Sequence, residues 1–266
     1  MGSTDHEVLT IRGLSKSFGD HRLLVNVELA CDKGEIKALV GPNGAGKTTL
    51  FDIVSGLTLA DKGDVLLEGR TLVGLQPHEI AALGVARLFQ DLRLFENLTV
   101  LENVLVALTP SEDEEPMAGL LCGARVAAHE RCRRTKALDL LGHVGLLEQA
   151  HRFAGELSSG QQKLTALART FASDSGLLLL DEPSTSLDSD MTERASALIR
   201  RAAAAGTAVI LIEHDLTFVG RVTDRVALLN LGSILIQGSL TELNRGSLFL
   251  DSFLGSQITD SAPGAS

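Results

Sequence analysis

Residues 41–48 read Gly-Pro-Asn-Gly-Ala-Gly-Lys-Thr and directly follow the apolar run Ile36–Val40. They fit the pattern G-x-x-x-x-G-K-[ST], placed between a predicted buried strand and a helix predicted to begin near Lys47, which is the context this pattern requires. The glycines let backbone N–H groups point inward, and the helix amino terminus adds positive potential. The segment is therefore predicted to bind phosphates, with Lys47 on the β- and γ-phosphates and the Thr48 hydroxyl on Mg²⁺.

Two further apolar runs, 177–180 and Ala208–Ile212, have the length and continuity of buried strands in a parallel sheet covered on both faces. Between them, a helix is predicted over 191–205, and Gly206 is a suitable cap for its end. Strand, helix and strand in alternation predict an open α/β sheet, with its ligand at the carboxyl ends of the strands.

The residues that follow these two runs carry chemistry. Four leucines lead into Asp181, which can hold the magnesium shell, and Glu182, which can act as general base towards a water molecule. A buried strand aimed at two carboxylates favours a cation site over an ordinary acidic surface pair. His214 follows the next strand and could hydrogen-bond the γ-phosphate, although a lone histidine after a strand is more often incidental.

The rest of the chain predicts a composite domain over 1–255. Short strand candidates near the amino terminus indicate an antiparallel sheet, and residues 226–236 read as a hairpin. A helical subdomain over 91–170 is predicted to interrupt a core formed by 7–90 and 171–245. Its signals are capping boxes at Thr99/Glu102 and Ser158/Gln161, an acidic loop over 111–116, an amphipathic helix over 125–141 and a helix over 162–172. Residues 256–266 are predicted to be a disordered tail.

Composition excludes several classes of function. The 266 residues include 24 Lys plus Arg and 34 Asp plus Glu, a net charge of −10 that disfavours nucleic-acid binding. The three cysteines lack the spacing of metal ligands. There is neither an apolar run long enough to cross a bilayer nor a secretory signal at the start, so any membrane association is expected to come through a partner.

These motifs together resemble the nucleotide-binding subunit of an ABC transporter, over residues 7–255. The resemblance implies a P-loop NTPase (RecA-like) core with an amino-terminal antiparallel β subdomain and an inserted α-helical signature subdomain. It also implies catalytic roles for Glu182, His214, Gln90 and Lys47, and a metal site formed by Thr48, Gln90 and Asp181. By the same resemblance, ATP is bound by Phe18, which stacks on adenine, by Gly41, Pro42, Asn43, Gly44, Ala45, Gly46, Lys47, Thr48 and Thr49, and by Ser158, Ser159, Gly160, Gln161 and Asp188.

Residues 157–161, Leu-Ser-Ser-Gly-Gln, resemble the family's LSGGQ signature and are called the signature segment below. By that resemblance, the segment faces the γ-phosphate held by a second ATPase subunit, so that two ATP molecules lie between two head-to-tail subunits. The physical chemistry is compatible with this arrangement, because the segment opens a helix whose positive end suits an anionic phosphate.

Residues 84–95 and 98–104 are similar to the ATPases of branched-chain amino-acid importers. Those systems pair two ATPase subunits with integral membrane permease subunits and an external solute-binding protein. The resemblance thus implies a cytoplasmic subunit held peripherally at the inner face of the plasma membrane by its permease. Ser159, Leu164 and residues 184–186 depart from the pattern, so urea or other cargo stays open as an alternative. A soluble ABC ATPase in an assembly complex is a separate alternative.

Overall fold

The computed structural model describes residues 6–108, 123–239 and 242 of the chain. The strands are β1 (Glu7–Phe18), β2 (His21–Asp32), β3 (Ile36–Val40), β4 (Lys62–Leu67), β5 (Arg70–Thr71), β6 (Val85–Leu88), β7 (Leu177–Asp181), β8 (Ala208–Ile212), β9 (Arg225–Asn230) and β10 (Ser233–Gly238). The helices are α1 (Lys47–Val54), α2 (Pro77–Ala82), α3 (Val100–Leu105), α4 (Gly123–His143), α5 (Ser159–Ala172), α6 (Ser189–Ala204) and α7 (Leu216–Val222). The predicted loop 111–116 and tail 256–266 lie outside the described residues.

The central sheet determines where the predicted ligand-binding residues lie. Within the described ranges, its six strands run in the order β10-β9-β3-β8-β7-β6, and all adjacent pairs except β9–β10 are parallel. Strands β3, β7 and β8 are buried along their whole length. Their carboxyl ends therefore meet at one edge of the sheet, as the sequence predicted.

Each face of this sheet packs against a different layer. Because successive side chains in a strand point to opposite faces, Leu177 and Leu179 pack with α1 and the amino-terminal sheet, whereas Leu178 and Leu180 pack with the helices of the other layer. That amino-terminal sheet has, among the described residues, four antiparallel strands in the order β2-β1-β4-β5. The predicted α/β architecture is confirmed.

The helical layer begins at the predicted capping box. The Thr99 hydroxyl accepts a hydrogen bond from the Glu102 N–H at 3.2 Å, and the Glu102 carboxylate accepts one from the Thr99 N–H at 2.8 Å. Helix α3 then packs its buried Val100 and Val104 side chains into the same apolar cluster as Leu141 of α4. No helix in the described part of the chain is both long and apolar enough to span a bilayer.

The structure differs from the sequence-based expectations mainly in element bounds. Strands β1 and β2 each extend over 12 residues, well beyond the short runs predicted. Shifts in their pairing register break the alternation of apolar and polar residues. The full length of these strands therefore could not be predicted from the sequence pattern. Strand β6 was not predicted, because it has four residues and includes the charged Arg87. The hairpin of β9 and β10 is confirmed.

Candidate active site

The loop 41–48 connects β3 to α1 and depends on glycine at fixed points. Gly41 has φ +153°, and a Cβ atom there would lie 2.0 Å from the carbonyl oxygen of Leu229 on β9. At Gly46, φ is +100°, and a Cβ atom would lie 2.6 Å from the Leu24 side chain. Only glycine fits both positions, so the loop backbone can lie close to its neighbours, in the type of Gly-rich turn whose N–H groups can bind phosphate.

Lys47 opens α1 and is 6% exposed. Its ammonium group donates hydrogen bonds to the carbonyl oxygens of Gly41, at 2.8 Å, and Pro42, at 2.9 Å, so the loop itself orients the charge. Burial lowers the pKa of Lys47, and the negative charges of Glu182 and Asp181 oppose that shift. The lysine and the two acids are thus close enough to interact electrostatically.

Asp181 ends β7, and only 3% of it is exposed. Burial raises the pKa of this carboxyl group, and the Arg87 guanidinium opposes the shift from 3.6 Å away. A buried carboxylate is costly unless cations compensate it. The position of Asp181 at the sheet edge beside loop 41–48 therefore suits a metal ion.

Glu182 and His214 meet across the ends of neighbouring strands. Nε2 of His214 lies 3.2 Å from Oε1 of Glu182, and the Thr185 hydroxyl donates to Oε2 at 3.3 Å. Glu182 has the left-handed backbone conformation, with φ +48°, and its N–H donates to the Ile212 carbonyl oxygen at 3.0 Å. The backbone turn directs the carboxylate towards the end of β8, and such strain in a non-glycine residue is concentrated at functional sites.

Two buried charged residues behind this edge were missed by sequence reasoning. The Glu213 carboxylate accepts hydrogen bonds from the N–H groups of Ser184 and His214, and burial raises its pKa. Lys163 of α5 donates from Nζ to the Asp181 carbonyl oxygen at 3.5 Å, and burial lowers its pKa. The sequence signal that could have indicated the burial of Lys163 is the run of mostly apolar and small residues that directly follows it.

The signature segment forms the amino terminus of α5. The Ser158 hydroxyl accepts from the Gln161 N–H at 3.3 Å, and the Gln161 side chain accepts from the Ser158 N–H at 3.2 Å, which confirms the predicted capping box. A Cβ atom on Gly160 would lie 2.9 Å from the Ser186 carbonyl oxygen, so this glycine permits close packing. Ser158 and Ser159 are exposed on the surface.

The remaining predicted residues lie on separate elements. Gln90 is exposed and follows β6, which pairs with β7, so it reaches the same sheet edge as Asp181. Asp188 is the amino-terminal cap of α6, where its side chain accepts from the Met191 N–H at 2.9 Å. Phe18 ends β1 in the antiparallel sheet and is 53% exposed, with the Lys16 ammonium 5.2 Å from its ring centre.

The edge of the central sheet thus brings Lys47, Asp181, Glu182, His214 and Gln90 together, whereas Phe18, Asp188 and the signature segment lie on other elements. The donor set fits a magnesium–triphosphate: a tight glycine loop at the start of a helix, an oriented ammonium group, a buried carboxylate and the exposed Thr48 hydroxyl. Hard oxygen ligands of this kind suit Mg²⁺.

The comparisons with known proteins agree with this geometry. Residues 24–185 match the family model of the ABC transporter. The chain is 36% identical over 253 residues to the high-affinity branched-chain amino acid transport ATP-binding protein LivG of Salmonella typhimurium, which covers 93% of this chain and 98% of LivG.

Two solved structures show the same fold. The ADP conformation of MJ1267, an ATP-binding cassette of an ABC transporter, superposes with a TM-score of 0.78 at 26% identity, covering 94% of this chain and 99% of that one. The dimeric post-hydrolysis structure of the cassette MJ0796 with ADP and Pi gives a TM-score of 0.72 at 26% identity, covering 87% and 98%.

The predicted family, P-loop core and ATP with Mg²⁺ as ligands are confirmed by these matches. The match to the family model spans more than half of the chain, and the similarity to LivG spans nearly all of it. The chain belongs to the ABC transporter family, as a subunit that binds ATP and hydrolyses it to drive transport.

Proposed function

We propose that Glu182 is the general base of ATP hydrolysis. We also propose that His214 positions both the Glu182 carboxylate and the phosphoryl group that is attacked. The observation that carries this assignment is the 3.2 Å contact between the two side chains, directly beside Asp181. A general base must lie within hydrogen-bonding reach of the water it activates, and Glu182 is 21% exposed at the side chain, so water can approach it. The strained Glu182 backbone keeps the carboxylate at this edge.

The phosphate- and metal-binding groups lie at the same edge, and the adenine-binding group lies in the amino-terminal sheet. The loop N–H groups and Lys47 bind the β- and γ-phosphates, and the exposed Phe18 ring offers a stacking surface for adenine. Thr48, Asp181 and Gln90 would hold Mg²⁺, which would neutralise charge on the phosphate oxygens. Lys47 stabilises that charge further, because the carbonyl oxygens of the loop orient its ammonium group.

The exposed signature segment completes the site of a second ATPase subunit. Its serines lie at the positive end of the 14-residue helix α5, a setting suited to an anionic phosphate. Asp188 lies at the start of α6, close to the point where Gly160 packs against Ser186, so it joins this surface. The dimeric arrangement of MJ0796 is compatible with two such subunits.

The chain works with permease subunits, as ABC transporter ATPases do, and we infer import of branched-chain amino acids from its similarity to LivG over nearly the full length. The subdomain 91–170 would carry the motion to the permease, and its exposed Phe95 offers an apolar contact. We infer that the subunit lies at the inner face of the plasma membrane, held there by its permease, with an external solute-binding protein as an indirect partner. Flux of labelled leucine against urea through the reconstituted transporter tests the cargo.

The composite site is tested by mixing two inactive variants. Lys47→Ala removes the phosphate-binding lysine, and Ser158→Arg blocks the signature segment of the other half-site. Their heterodimer retains one intact site, so the mixture should show more ATPase activity than either variant alone. Ser158→Thr, which keeps the capping hydroxyl, is the control. No recovery in a mixture with demonstrated heterodimers would contradict a site shared between subunits.

A further inference from the structure

Arg87 is a buried cation that the roles assigned above do not use. It lies on β6, opposite Leu179 of β7, and its side chain is 5% exposed. Burying a guanidinium group is costly unless charged partners and hydrogen bonds surround it. The partners of Arg87 therefore indicate why the chain keeps a charge at this position.

The guanidinium group joins two carboxylates from different elements. Nη1 of Arg87 lies 2.7 Å from Oδ1 of Asp52 and donates to the Ser55 hydroxyl at 2.9 Å, both on or next to the end of α1. Nη2 lies 3.6 Å from Oδ2 of Asp181. The planar fork thus fixes the Asp181 side chain relative to α1, the helix that begins with Lys47 and Thr48.

The same guanidinium group also contacts the residue before Gln90. The Arg87 guanidinium lies 4.6 Å from the centre of the Phe89 ring, and the Arg93 guanidinium lies 4.1 Å from it. Two cations that flank one aromatic ring hold it by cation–π attraction. Arg169 of α5 in turn donates to the carbonyl oxygens of Arg93, at 2.8 Å, and Leu92, at 2.6 Å.

Two negative charges around one positive charge leave the Asp52–Arg87–Asp181 group with a net charge of about −1. Such a group attracts a cation to Asp181, and Arg87 orients the carboxylate. A lysine could not replace it, because a single ammonium group cannot contact both carboxylates and the ring at once.

We propose that Arg87 is a positioning residue for magnesium: it orients the Asp181 carboxylate directly and orients Gln90 through Phe89. The inference rests on the proposed metal role of Asp181 and Gln90. It adds that a single buried side chain sets the positions of both of these groups at once.

The test measures the dissociation constant of a fluorescent ATP analogue in excess EDTA and in excess Mg²⁺. The ratio of the EDTA value to the Mg²⁺ value is the gain in affinity that Mg²⁺ provides. Arg87→Met should lower the gain in affinity that Mg²⁺ provides by about tenfold, because the Asp181 carboxylate loses the buried cation beside it, with the EDTA value unchanged. Asp52→Asn weakens the ion pair that holds Arg87, and it changes a side chain that is only partly buried. It should also lower the ratio, so the test stays possible if Arg87→Met does not fold. Phe89→Leu should also lower the ratio.

Arg152→Met, at an exposed arginine, is the control and should leave the ratio unchanged. An unchanged or increased ratio in both Arg87→Met and Asp52→Asn, beside a lowered ratio in Asp181→Asn, would overturn the inference and leave the proposed function standing. An unchanged ratio in Asp181→Asn would remove the metal role of Asp181 itself. An unchanged ratio in Phe89→Leu alone would overturn the part that concerns Gln90.

Discussion

Nε2 of His214 lies 3.2 Å from Oε1 of Glu182, although 31 residues separate them along the chain. The contact follows from the register of the sheet, in which Asp181 at the end of β7 is paired with Ile212 at the end of β8. Glu182 and His214 each come just after these paired residues. An acid and an imidazole are thus brought together by strand pairing, beside the loop that carries Lys47.

Replacing Glu182 with glutamine should stop hydrolysis while preserving ATP binding. The amide has nearly the same shape but cannot accept a proton, so kcat should fall by about 10²-fold or more, and ATP-bound dimers should accumulate. Steady-state ATPase assays and size-exclusion chromatography with MgATP measure the two effects. Glu193→Gln, at an exposed position on α6, is the matched control. Near-normal turnover of Glu182→Gln would remove Glu182 from its role.

Replacing His214 with alanine should reduce kcat on the order of 10²-fold, because Glu182 loses its 3.2 Å partner and the phosphoryl group loses a donor. The dissociation constant of MgATP should change little, since loop 41–48 and Lys47 supply most of the phosphate contacts. Comparing kcat with nucleotide affinity separates these effects. His143→Ala, on α4 beside Asp139, should behave as the unsubstituted protein. A loss of affinity with kcat preserved would contradict the assignment.

Gly41→Ala should destabilise the protein and abolish nucleotide binding. Its Cβ atom would lie 2.0 Å from the Leu229 carbonyl oxygen, and the strained backbone alone costs about 1–3 kcal/mol. Urea denaturation measures the free energy of unfolding. Gly142→Ala is the control: the site is in helix α4 and open, so alanine should be neutral or stabilising by about 0.5–1 kcal/mol. Equal stability of the two variants would contradict the predicted clash.

Thr99→Ala should lower the free energy of unfolding by about 1 kcal/mol, because the Glu102 N–H loses its acceptor at the start of α3. Thr99→Ser keeps the hydroxyl group and should restore most of the loss. Because the site is remote from loop 41–48 in the chain, the folded Thr99→Ala protein should keep its ATPase rate. A Thr99→Ser variant as unstable as Thr99→Ala would show that the methyl group, not the cap, matters.

Some of this structure could be predicted from the sequence because the signals are local. Strands β3 and β8 have the predicted bounds, since each is a continuous apolar run with clear ends. The capping boxes of α3 and α5 depend on residues three apart, so spacing alone reveals them.

The features that were missed depend on tertiary contacts. Arg87 and Lys163 are buried because acids from distant segments surround them, namely Asp52 and Asp181 for the arginine and the end of β7 for the lysine. In sequence, each is an isolated charge of the kind usually found at a surface. The burial of Glu213 likewise follows from its backbone partner Ser184, 29 residues away.

The order of the central sheet has one further consequence. Strand β8 lies between β3, which leads into loop 41–48, and β7, which ends in Asp181. Two interstrand steps of about 4.8 Å therefore separate the phosphate-binding strand from the acidic one by about 10 Å. Main-chain hydrogen bonds set this distance. Evolution can therefore replace core side chains, and so change thermal stability, while the spacing between loop 41–48 and Asp181 stays constant.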